Sequence, residues 1–325
     1  MRIGQSAAWV VLFVCSIVAC SSRTSPSGAQ PADASAGDTS ADAAAGDAFP
    51  ADSGTDAALD AALVAARPYT LHVPASYDAS KRTPLVVLFH GYGATGALQS
   101  AYMGLTGASD AHGFLYAYAD GTLDKDGKRF WNATDACCDL YGVPVDDVAY
   151  FNAIVDDVSA KYTVDPRQIF VIGHSNGAFL AHRLSCEAGS RVAAIVSLAG
   201  AVWNDPSKCA PTSPVSILEV HGDADQVIVY AGGSTKEGTY PGALTTVATW
   251  AAKETCTGAL AATGRTLSVD GSTPAGSTVV QTYGGCPSGI DVQLWTMKGS
   301  GHIPGLQSPG WGDLVWGFLS THPKA

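Results

Sequence analysis

Basic residues are scarce in this sequence. Its 325 residues include 18 Lys and Arg against 29 Asp and Glu, which gives a formal net charge of -11. Seven of the acidic residues lie between Asp33 and Asp60, so much of this charge belongs to one segment near the start of the chain. Nucleic acids are bound mainly through Lys and Arg contacts to phosphate, and a nucleic acid is therefore not expected as a partner.

The sequence also lacks a hydrophobic run that comfortably spans a membrane. The apolar stretch AAWVVLFVCSIVA follows Arg2 and ends just before Cys20. It is short for a transmembrane helix and suits the apolar region of a secretory signal peptide. The letters IVAC resemble the lipobox of bacterial lipoproteins, in which the cysteine becomes the lipidated first residue. We therefore predict a lipoprotein-type signal peptide over residues 1–20 and a lipid anchor at Cys20, which would hold a secreted protein on the membrane of a bacterial cell envelope.

Large apolar side chains are rare from Ser21 to Ala66, where Ala, Asp, Ser, Gly, Thr and Pro dominate. Such a segment cannot bury enough apolar surface to offset the loss of chain entropy on folding. The composition therefore predicts a disordered tether over residues 21–66. The remaining residues, 67–325, are expected to form one folded domain.

No two cysteines have the CxxC spacing of a zinc site, and no metal is expected. Apart from Cys15 and Cys20 in the predicted signal peptide, six cysteines remain. An even number of cysteines in an exported protein predicts disulfides, because the compartment is oxidising. Cys256 and Cys286 flank a stretch rich in Gly, Thr and Ser, and we predict that they pair. The sequence does not decide the pairing of the other four, which are Cys137, Cys138, Cys186 and Cys209.

Short apolar runs alternate with helical patterns from Tyr69 onward. Six runs end in Gly or polar residues: PLVVLFHG, FLYAYADG, IFVIGHS, AAIVSLAGA, SILEVHGDAD and DVQLWTMKGSGH. Nearly continuous apolar runs are typical of strands that are buried on both faces of a sheet. The segments VDDVAYFNAIVDDVSAKY, NGAFLAHRL and WGDLVWGFLSTH have helical patterns. This alternation predicts an α/β domain with a mostly parallel sheet and helices on both faces.

A serine between glycines, in the motif GHSNG at residues 173–177, is the strongest chemical signal. The motif fits G-x-S-x-G and stands between a predicted strand and a predicted helix, which is the context that a nucleophilic serine requires. Glycines relieve crowding where the backbone is strained, and the helix start offers unpaired N–H groups to an oxyanion. We therefore interpret Ser175 as a nucleophile.

A serine nucleophile needs a base, which is itself oriented by an acid. His302 lies in the glycine-flanked loop KGSGHIPG after a predicted strand and is the predicted base. His221 still lies within or at the end of a strand. Asp223 and Asp225 both occupy the loop after SILEV, where active sites of α/β sheets form, and spacing alone leaves them unresolved.

An oxyanion hole needs two N–H donors that converge on one point. We predict the backbone N–H groups of Asn176, which follows the nucleophile, and of Tyr92 in the loop HGYG. Residues 91–96 of the same loop also match the G-x-G-x-x-G pattern of a dinucleotide-binding turn. A lone match is weak support for a dinucleotide-dependent oxidoreductase.

Together, the motifs VVLFHGYG, WNATDACCD, IFVIGHSNGA, HGDADQVIVY and GSGHIPG resemble the secreted polyhydroxybutyrate depolymerase-like esterases. These are grouped with the feruloyl and acetylxylan esterases in the carbohydrate esterase family one branch of the α/β-hydrolases. The resemblance covers the chain from about Tyr69 to its end and implies an α/β-hydrolase fold. Because the family pattern is HG-x-x-D, it implies Asp225 as the acid. It also places Trp131 where members of the family often carry a tryptophan, so a role in substrate binding is expected there.

One departure concerns the residues after the base. The family often reads G-H-T-W-P-G, whereas Ile303 here stands beside Pro304. An aromatic wall of the substrate site would then be missing or come from Trp203, Trp311 or Tyr92, and we predict a contact from Trp203.

These features predict a secreted serine esterase, with the triad Ser175, His302 and Asp225, that needs no cofactor and acts as a monomer. Its substrate would be a polyester oligomer, a feruloylated or acetylated polysaccharide, or a small ester. The alternative from another class of protein is a non-catalytic surface lipoprotein that binds polysaccharide through exposed aromatic side chains.

Overall fold

The computed structural model describes residues 53–306 and 310–325. The predicted signal peptide, the predicted anchor Cys20 and residues 21–52 of the predicted tether lie outside the described residues. Among the helices of the described part, none is long and apolar enough to cross a membrane.

A nine-stranded sheet forms the centre of the fold. The described strands are β1 (Tyr69–His72), β2 (Thr83–Phe89), β3 (Leu115–Ala119), β4 (Thr122–Leu123), β5 (Arg129–Phe130), β6 (Val164–His174), β7 (Ala194–Leu198), β8 (Ser216–Gly222), β9 (Gly232–Ser234), β10 (Thr239–Pro241), β11 (Leu260–Leu267), β12 (Thr278–Tyr283) and β13 (Val292–Met297). The main sheet has the order β1-β3-β2-β6-β7-β8-β13-β12-β11, and β4-β5 and β9-β10 form two small ladders. The strands from β3 to β13 in that order are parallel, whereas β1, β12 and β11 pair antiparallel at the two edges.

Helices cover both faces of this sheet. The described helices are α1 (Ser53–Ala66), α2 (Gly96–Met103), α3 (Leu105–His112), α4 (Asp147–Lys161), α5 (Asn176–Glu187), α6 (Ala243–Lys253) and α7 (Gly310–Leu319). Residues of α4, α5 and α6 pack into one apolar cluster, and residues of α3 and α7 into another. Alternate residues of β2 enter the two clusters, because successive side chains of a strand point to opposite faces.

The α/β fold class is confirmed. The six apolar runs of the sequence correspond to the six parallel strands, and the three helical patterns to α4, α5 and α7. The antiparallel strands β1, β11 and β12 were not predicted, and neither were α2, α3 and α6. Side chains of β11 are mostly exposed, so this strand has no apolar run that could have revealed it.

The predicted tether is wrong over its last 14 residues, which form α1. Its sequence, SGTDAALDAALVAA, is rich in Ala and Leu, which favour helix more than the Ser, Gly and Pro before it. Leu63 packs against the apolar cluster of the domain. Just beyond the helix, Arg67 forms an ion pair with the buried Asp147 at 2.6 Å. The folded part therefore begins before residue 67.

Three disulfides are present in the described residues. The predicted pair of Cys256 and Cys286 is confirmed. The four cysteines whose pairing the sequence left open form the bonds Cys137–Cys138 and Cys186–Cys209.

Candidate active site

The serine of the GHSNG motif stands between the end of β6 and the start of α5. Its backbone angles are φ 54° and ψ -121°, which lie outside the regions that L-residues ordinarily occupy. The chain turns sharply at Ser175, because β6 is held inside the parallel sheet and α5 begins at the next residue. This strand–turn–helix arrangement is the one that a nucleophilic serine requires.

The glycines on either side of the serine allow this turn to pack. A Cβ atom on Gly173 would lie 2.1 Å from the backbone oxygen of Gly177. A Cβ atom on Gly177 would lie 2.2 Å from the backbone oxygen of Phe89 in β2. Both distances are far below van der Waals contact, so β2, β6 and α5 can meet here only with glycine at both positions.

The loops after β8 and β13 bring the predicted acid and base together. Nδ1 of His302 lies 2.7 Å from Oδ2 of Asp225. Asp223 instead accepts a hydrogen bond from the N–H of Gly299 at 2.7 Å and pairs with Lys298. Of the two aspartates left unresolved, Asp225 is therefore the one that contacts the base.

The carboxyl of Asp225 is buried but ionised. Burial alone raises its pKa, but hydrogen bonds from His221 and His302, together with the N–H of Val227, hold the pKa of Asp225 well below its usual range. A carboxylate accepts the Nδ1–H of His302, which leaves Nε2 of that imidazole to take a proton from a hydroxyl.

The loop that carries the predicted base is fixed at several points. Asp270 accepts hydrogen bonds from the Ser300 hydroxyl at 2.5 Å and from the Gly305 N–H at 2.8 Å, on either side of His302. Nε2 of His174 donates to the carbonyl oxygen of His302 at 3.0 Å. Burial lowers the pKa of His174 to about 4, so this imidazole is a neutral donor at physiological pH.

Two backbone N–H groups lie close to Ser175 and are available as oxyanion donors. The N–H of Asn176 belongs to the first turn of α5 and has no acceptor within that helix. A Cβ atom on Gly91 would lie only 3.3 Å from Cβ of Ser175, so the loop after β2 passes close to the serine. The Gly91 N–H donates to Oε1 of Gln99, whereas the Tyr92 N–H has no acceptor among the described residues. Their role as the two donors stays a prediction.

The predicted contacts of Trp131 and Trp203 with substrate are wrong. Trp131 is fully buried, its indole N–H donates to the carbonyl oxygen of His90 at 3.0 Å, and its ring packs edge-on against Phe89. Its backbone N–H donates to Oδ1 of Asn176 at 2.7 Å, and the Asn176 amide returns a hydrogen bond to its carbonyl oxygen. Trp203 exposes only 7% of its surface and does not line the cleft beside Ser175. Both rings are packed in the interior, where a substrate cannot reach them.

A cleft of about 240 Å³ opens beside Ser175, and His302 lines the same cleft. The three predicted catalytic residues are therefore brought to one place. Other lining side chains are Tyr92, Leu98, Tyr102, His174 and Ile303. Leu98 and Ile303 expose 65% and 72% of their surface, so the rim is apolar on two sides.

The residues that match G-x-G-x-x-G border this cleft, and the N–H groups of the three glycines already have acceptors. The Gly91 N–H donates to Gln99, and the Gly93 N–H donates to the carbonyl oxygen of Arg129 at 2.7 Å. A dinucleotide phosphate would need such groups to be free. The arrangement therefore gives the dinucleotide alternative no support.

Several polar groups around the site were missed by sequence reasoning. Gln99 and Asp270 hold the two loops described above, and no motif marks them. Glu219 and His221 lie within β8, and a strand position gives no sign of a role at the site. The pattern HG-x-x-D contains His221 together with Asp225, and this was the available signal that the two could act together.

Comparison with solved structures identifies the class of fold. An acetyl xylan esterase from Aspergillus awamori is similar with a TM-score of 0.54 and 17% identity, over 78% of this chain and 93% of that chain. Esterase PE8 is similar with a TM-score of 0.51 and 18% identity, over 79% of this chain and 99% of that chain. This likeness shows that the domain has an α/β-hydrolase fold.

The family follows from comparison of sequences. The model of the family described as "Esterase PHB depolymerase" matches residues 67–262. The chain belongs to this family, and the resemblance inferred from its motifs is confirmed.

Named relatives agree with this assignment. Feruloyl esterase D of Neurospora crassa is 26% identical over 261 residues, which are 78% of this chain and 81% of that protein. Feruloyl esterase B of Piromyces equi is 27% identical over 253 residues, which are 75% of this chain and 44% of that protein. The NocK protein of Nocardia uniformis subsp. tsuyamanensis is 33% identical over 170 residues, which are 52% of this chain and 48% of that protein. The chain thus spans about half the length of the last two relatives.

Replacement of Gly177 by alanine should destabilise the protein by more than about 3 kcal/mol, because the new Cβ would collide with the backbone of β2. Gly107→Ala in α3 is the matched control. A Cβ there meets no atom within 4 Å, and the change should stabilise the helix by up to about 1 kcal/mol. Urea unfolding followed by circular dichroism measures both. Equal stability of Gly177→Ala and the wild type would contradict the packing at this turn.

Proposed function

We propose that this protein is a serine esterase that hydrolyses carboxylic esters through an acyl-enzyme. The observation that carries the proposal is the 2.7 Å contact between His302 and the ionised Asp225, in a cleft that Ser175 also lines. Membership of the Esterase PHB depolymerase family supports the same conclusion.

The first half of the reaction forms the acyl-enzyme. Oγ of Ser175 attacks the ester carbonyl carbon while Nε2 of His302 takes its proton, and the carbonyl π electrons move to the oxygen. Asp225 stabilises the imidazolium through Nδ1–H, and the N–H groups of Asn176 and Tyr92 stabilise the oxyanion. The tetrahedral intermediate then expels the alcohol, which takes the proton from His302.

The second half releases the acid. Water attacks the acyl-enzyme, gives its proton to His302, and forms a second tetrahedral intermediate. When this collapses, the bond to Oγ breaks and His302 returns the proton to Ser175. The chain's own residues perform each proton transfer.

Ser175→Ala should reduce kcat/KM for p-nitrophenyl acetate by about 10³-fold or more, because the nucleophile is lost. Ser159→Ala on the exposed surface of α4 is the control and should retain wild-type activity. Equal rates for Ser175→Ala and the wild type would refute the proposed nucleophile. Binding to xylan without hydrolysis of any ester would instead favour the polysaccharide-binding lipoprotein.

The substrate class proposed here is an ester whose acyl group is apolar, such as a hydroxybutyrate oligomer or a feruloyl ester. Leu98, Ile303 and Tyr92 present apolar surface around the cleft. Contact with an apolar acyl group removes this surface from water, and each buried CH₂ contributes about 0.8 kcal/mol. An acetyl group is too small to gain much from these residues.

Ile303→Asp should therefore lower kcat/KM by about tenfold for a hydroxybutyrate trimer and for methyl ferulate, but by less than about threefold for p-nitrophenyl acetate. Leu244→Asp is the matched control, since Leu244 is an exposed apolar residue of α6 that does not line the cleft. Equal losses on all three substrates would contradict an acyl contact at Ile303. Initial rates on the three purified substrates decide the question.

We further propose that the enzyme is exported and held on the cell envelope by lipid at Cys20. The disulfides Cys186–Cys209 and Cys256–Cys286 support an oxidising compartment. The lipobox-like letters IVAC supply the attachment residue.

Metabolic labelling with an alkyne palmitate in a bacterial host should mark the wild-type protein. The label should be lost in Cys20→Ala, because the acceptor thiol is gone, and kept in Cys15→Ala, whose cysteine lies within the predicted signal peptide. Label retained by Cys20→Ala, or never found on the wild type, would show that Cys20 is not the anchor.

A further inference from the structure

A row of buried ionisable side chains lies behind the acid of the triad. It runs from His182 in α5 through Glu219 and His221 in β8 to Asp225, and each residue is at most 1% exposed. The nearest contacts between successive members are 3.2 Å, 3.1 Å and 3.5 Å. Burial of charged groups is costly unless they are paired, so the protonation state of each member can be argued from its partners.

The state of His182 is set by a tryptophan. The indole N–H of Trp250 can only donate, and it lies 2.9 Å from Nδ1 of His182. Nδ1 is therefore unprotonated, and the imidazole is neutral with its proton on Nε2. That proton is donated to Oε2 of Glu219, at 3.2 Å.

Glu219 is held as a carboxylate. Besides the hydrogen bond from His182, its Oε1 receives the N–H of Gly200 at 3.3 Å and faces Nδ1 of His221 at 3.1 Å. Burial raises the pKa of Glu219, but hydrogen bonds from His182 and His221 outweigh burial and lower it.

His221 is left with acceptors on both ring nitrogens. Nε2 lies 2.8 Å from the carbonyl oxygen of Ile228, which can only accept, and Nδ1 faces the carboxylate of Glu219. Both nitrogens must then carry protons, which makes His221 an imidazolium. Burial opposes this charge, but hydrogen bonds with Asp225 and Glu219 raise the pKa of His221 to about 9. The ring of Tyr230 packs edge-on against it.

The positively charged ring of His221 lies next to the Asp225 oxygen that accepts the hydrogen bond from His302. Its Nε2 is 3.5 Å from Oδ2 of Asp225, the same atom that accepts Nδ1–H of His302 at 2.7 Å. Oδ1 of Asp225 accepts the N–H groups of Val227 and Ile228 at 2.7 and 3.0 Å. The carboxylate of Asp225 is thus shared between the imidazolium of His221 and the imidazole of His302.

We propose that His221 is a positively charged positioning residue, which holds the Asp225 carboxylate and weakens the negative field that this carboxylate exerts on His302. Its effect on turnover depends on the serine esterase function proposed above. The titratable groups that face His221 are Glu219 on its own strand, Asp225 and Tyr230 on the following loop, and, at longer range, His182 through Glu219 and His174 at the end of β6.

The consequence concerns the charges around the predicted base, His302. Nε2 of His221 and Nδ1 of His302 lie 3.5 and 2.7 Å from the same oxygen of Asp225. They are therefore close enough for two positive charges to repel appreciably at the effective dielectric of a protein site. The groups that face His302 are the carboxylate of Asp225, which is negatively charged, and His174, which is neutral. His221 is therefore the positive group that opposes Asp225.

The charge of His221 can be observed without any substrate. In protein labelled with ¹⁵N-histidine, both nitrogens of His221 should give protonated signals at pH 7, and the assignment follows from their loss in His221→Asn. A neutral His221 at pH 7, with an unprotonated Nδ1, would overturn the proposal even if the protein is a fully active esterase. Protonated signals in a protein without esterase activity would leave the buried cation intact and reject the proposed function.

The kinetic effect is measured on the acid limb of the kcat/KM profile, which reports the base in the free enzyme. Loss of the cation in His221→Asn stabilises protonated His302, so the limb should move to higher pH by about one unit or more. The double variant Glu219→Gln/His221→Asn removes the buried charge pair together and should show the same direction, which covers the case in which the single variant fails to fold. His112→Asn is the matched control, since it removes a surface imidazole 2.8 Å from Asp313 and should leave the limb in place. An acid limb that is unchanged in the folded double variant would overturn the positioning role.

Discussion

Parallel pairing of β8 with β13 is the constraint on which the site depends. The two strands pair from Ile217 with Val292 to Gly222 with Met297, so the loops that carry Asp225 and His302 leave the sheet side by side. Ser175 lies at the same end of the sheet, because it follows the C-terminal end of β6, and one strand separates β6 from β8. The strand order, rather than any contact between the side chains themselves, brings the proposed acid, base and nucleophile together.

The central sheet could be read from the sequence because its strands are buried on both faces and are therefore almost continuously apolar. The edges could not. Strand β11 is largely exposed and contains glycine and threonine, and its pairing with β12 depends on a neighbour that sequence patterns do not reveal. Helix α1 was missed for a different reason. Its alanines resemble the composition of a linker, and the packing of Leu63 against the domain is visible only in the folded chain.

The position of the candidate site was more predictable than its surroundings. A nucleophile needs a strained turn between glycines, and that requirement leaves a mark in the sequence. By contrast, Trp131 was assigned from its place in a family pattern, and such a pattern does not distinguish a ring that contacts substrate from one that packs in the core. His221 was given no role in the site because a position within a strand does not reveal which side chains a residue contacts. Burial and partner identity are properties of the fold.

Ile303 has a consequence for water at the reaction centre. It stands next to His302 on the same loop, and its side chain is the most exposed of the large apolar residues at the cleft. A hydrocarbon surface that settles on Ile303 would also shield the neighbouring imidazole from solvent. Water would then screen the hydrogen bond between His302 and Asp225 less once the ester is bound. The electrostatic interactions of the proposed triad would therefore strengthen when a hydrophobic substrate displaces the water around it.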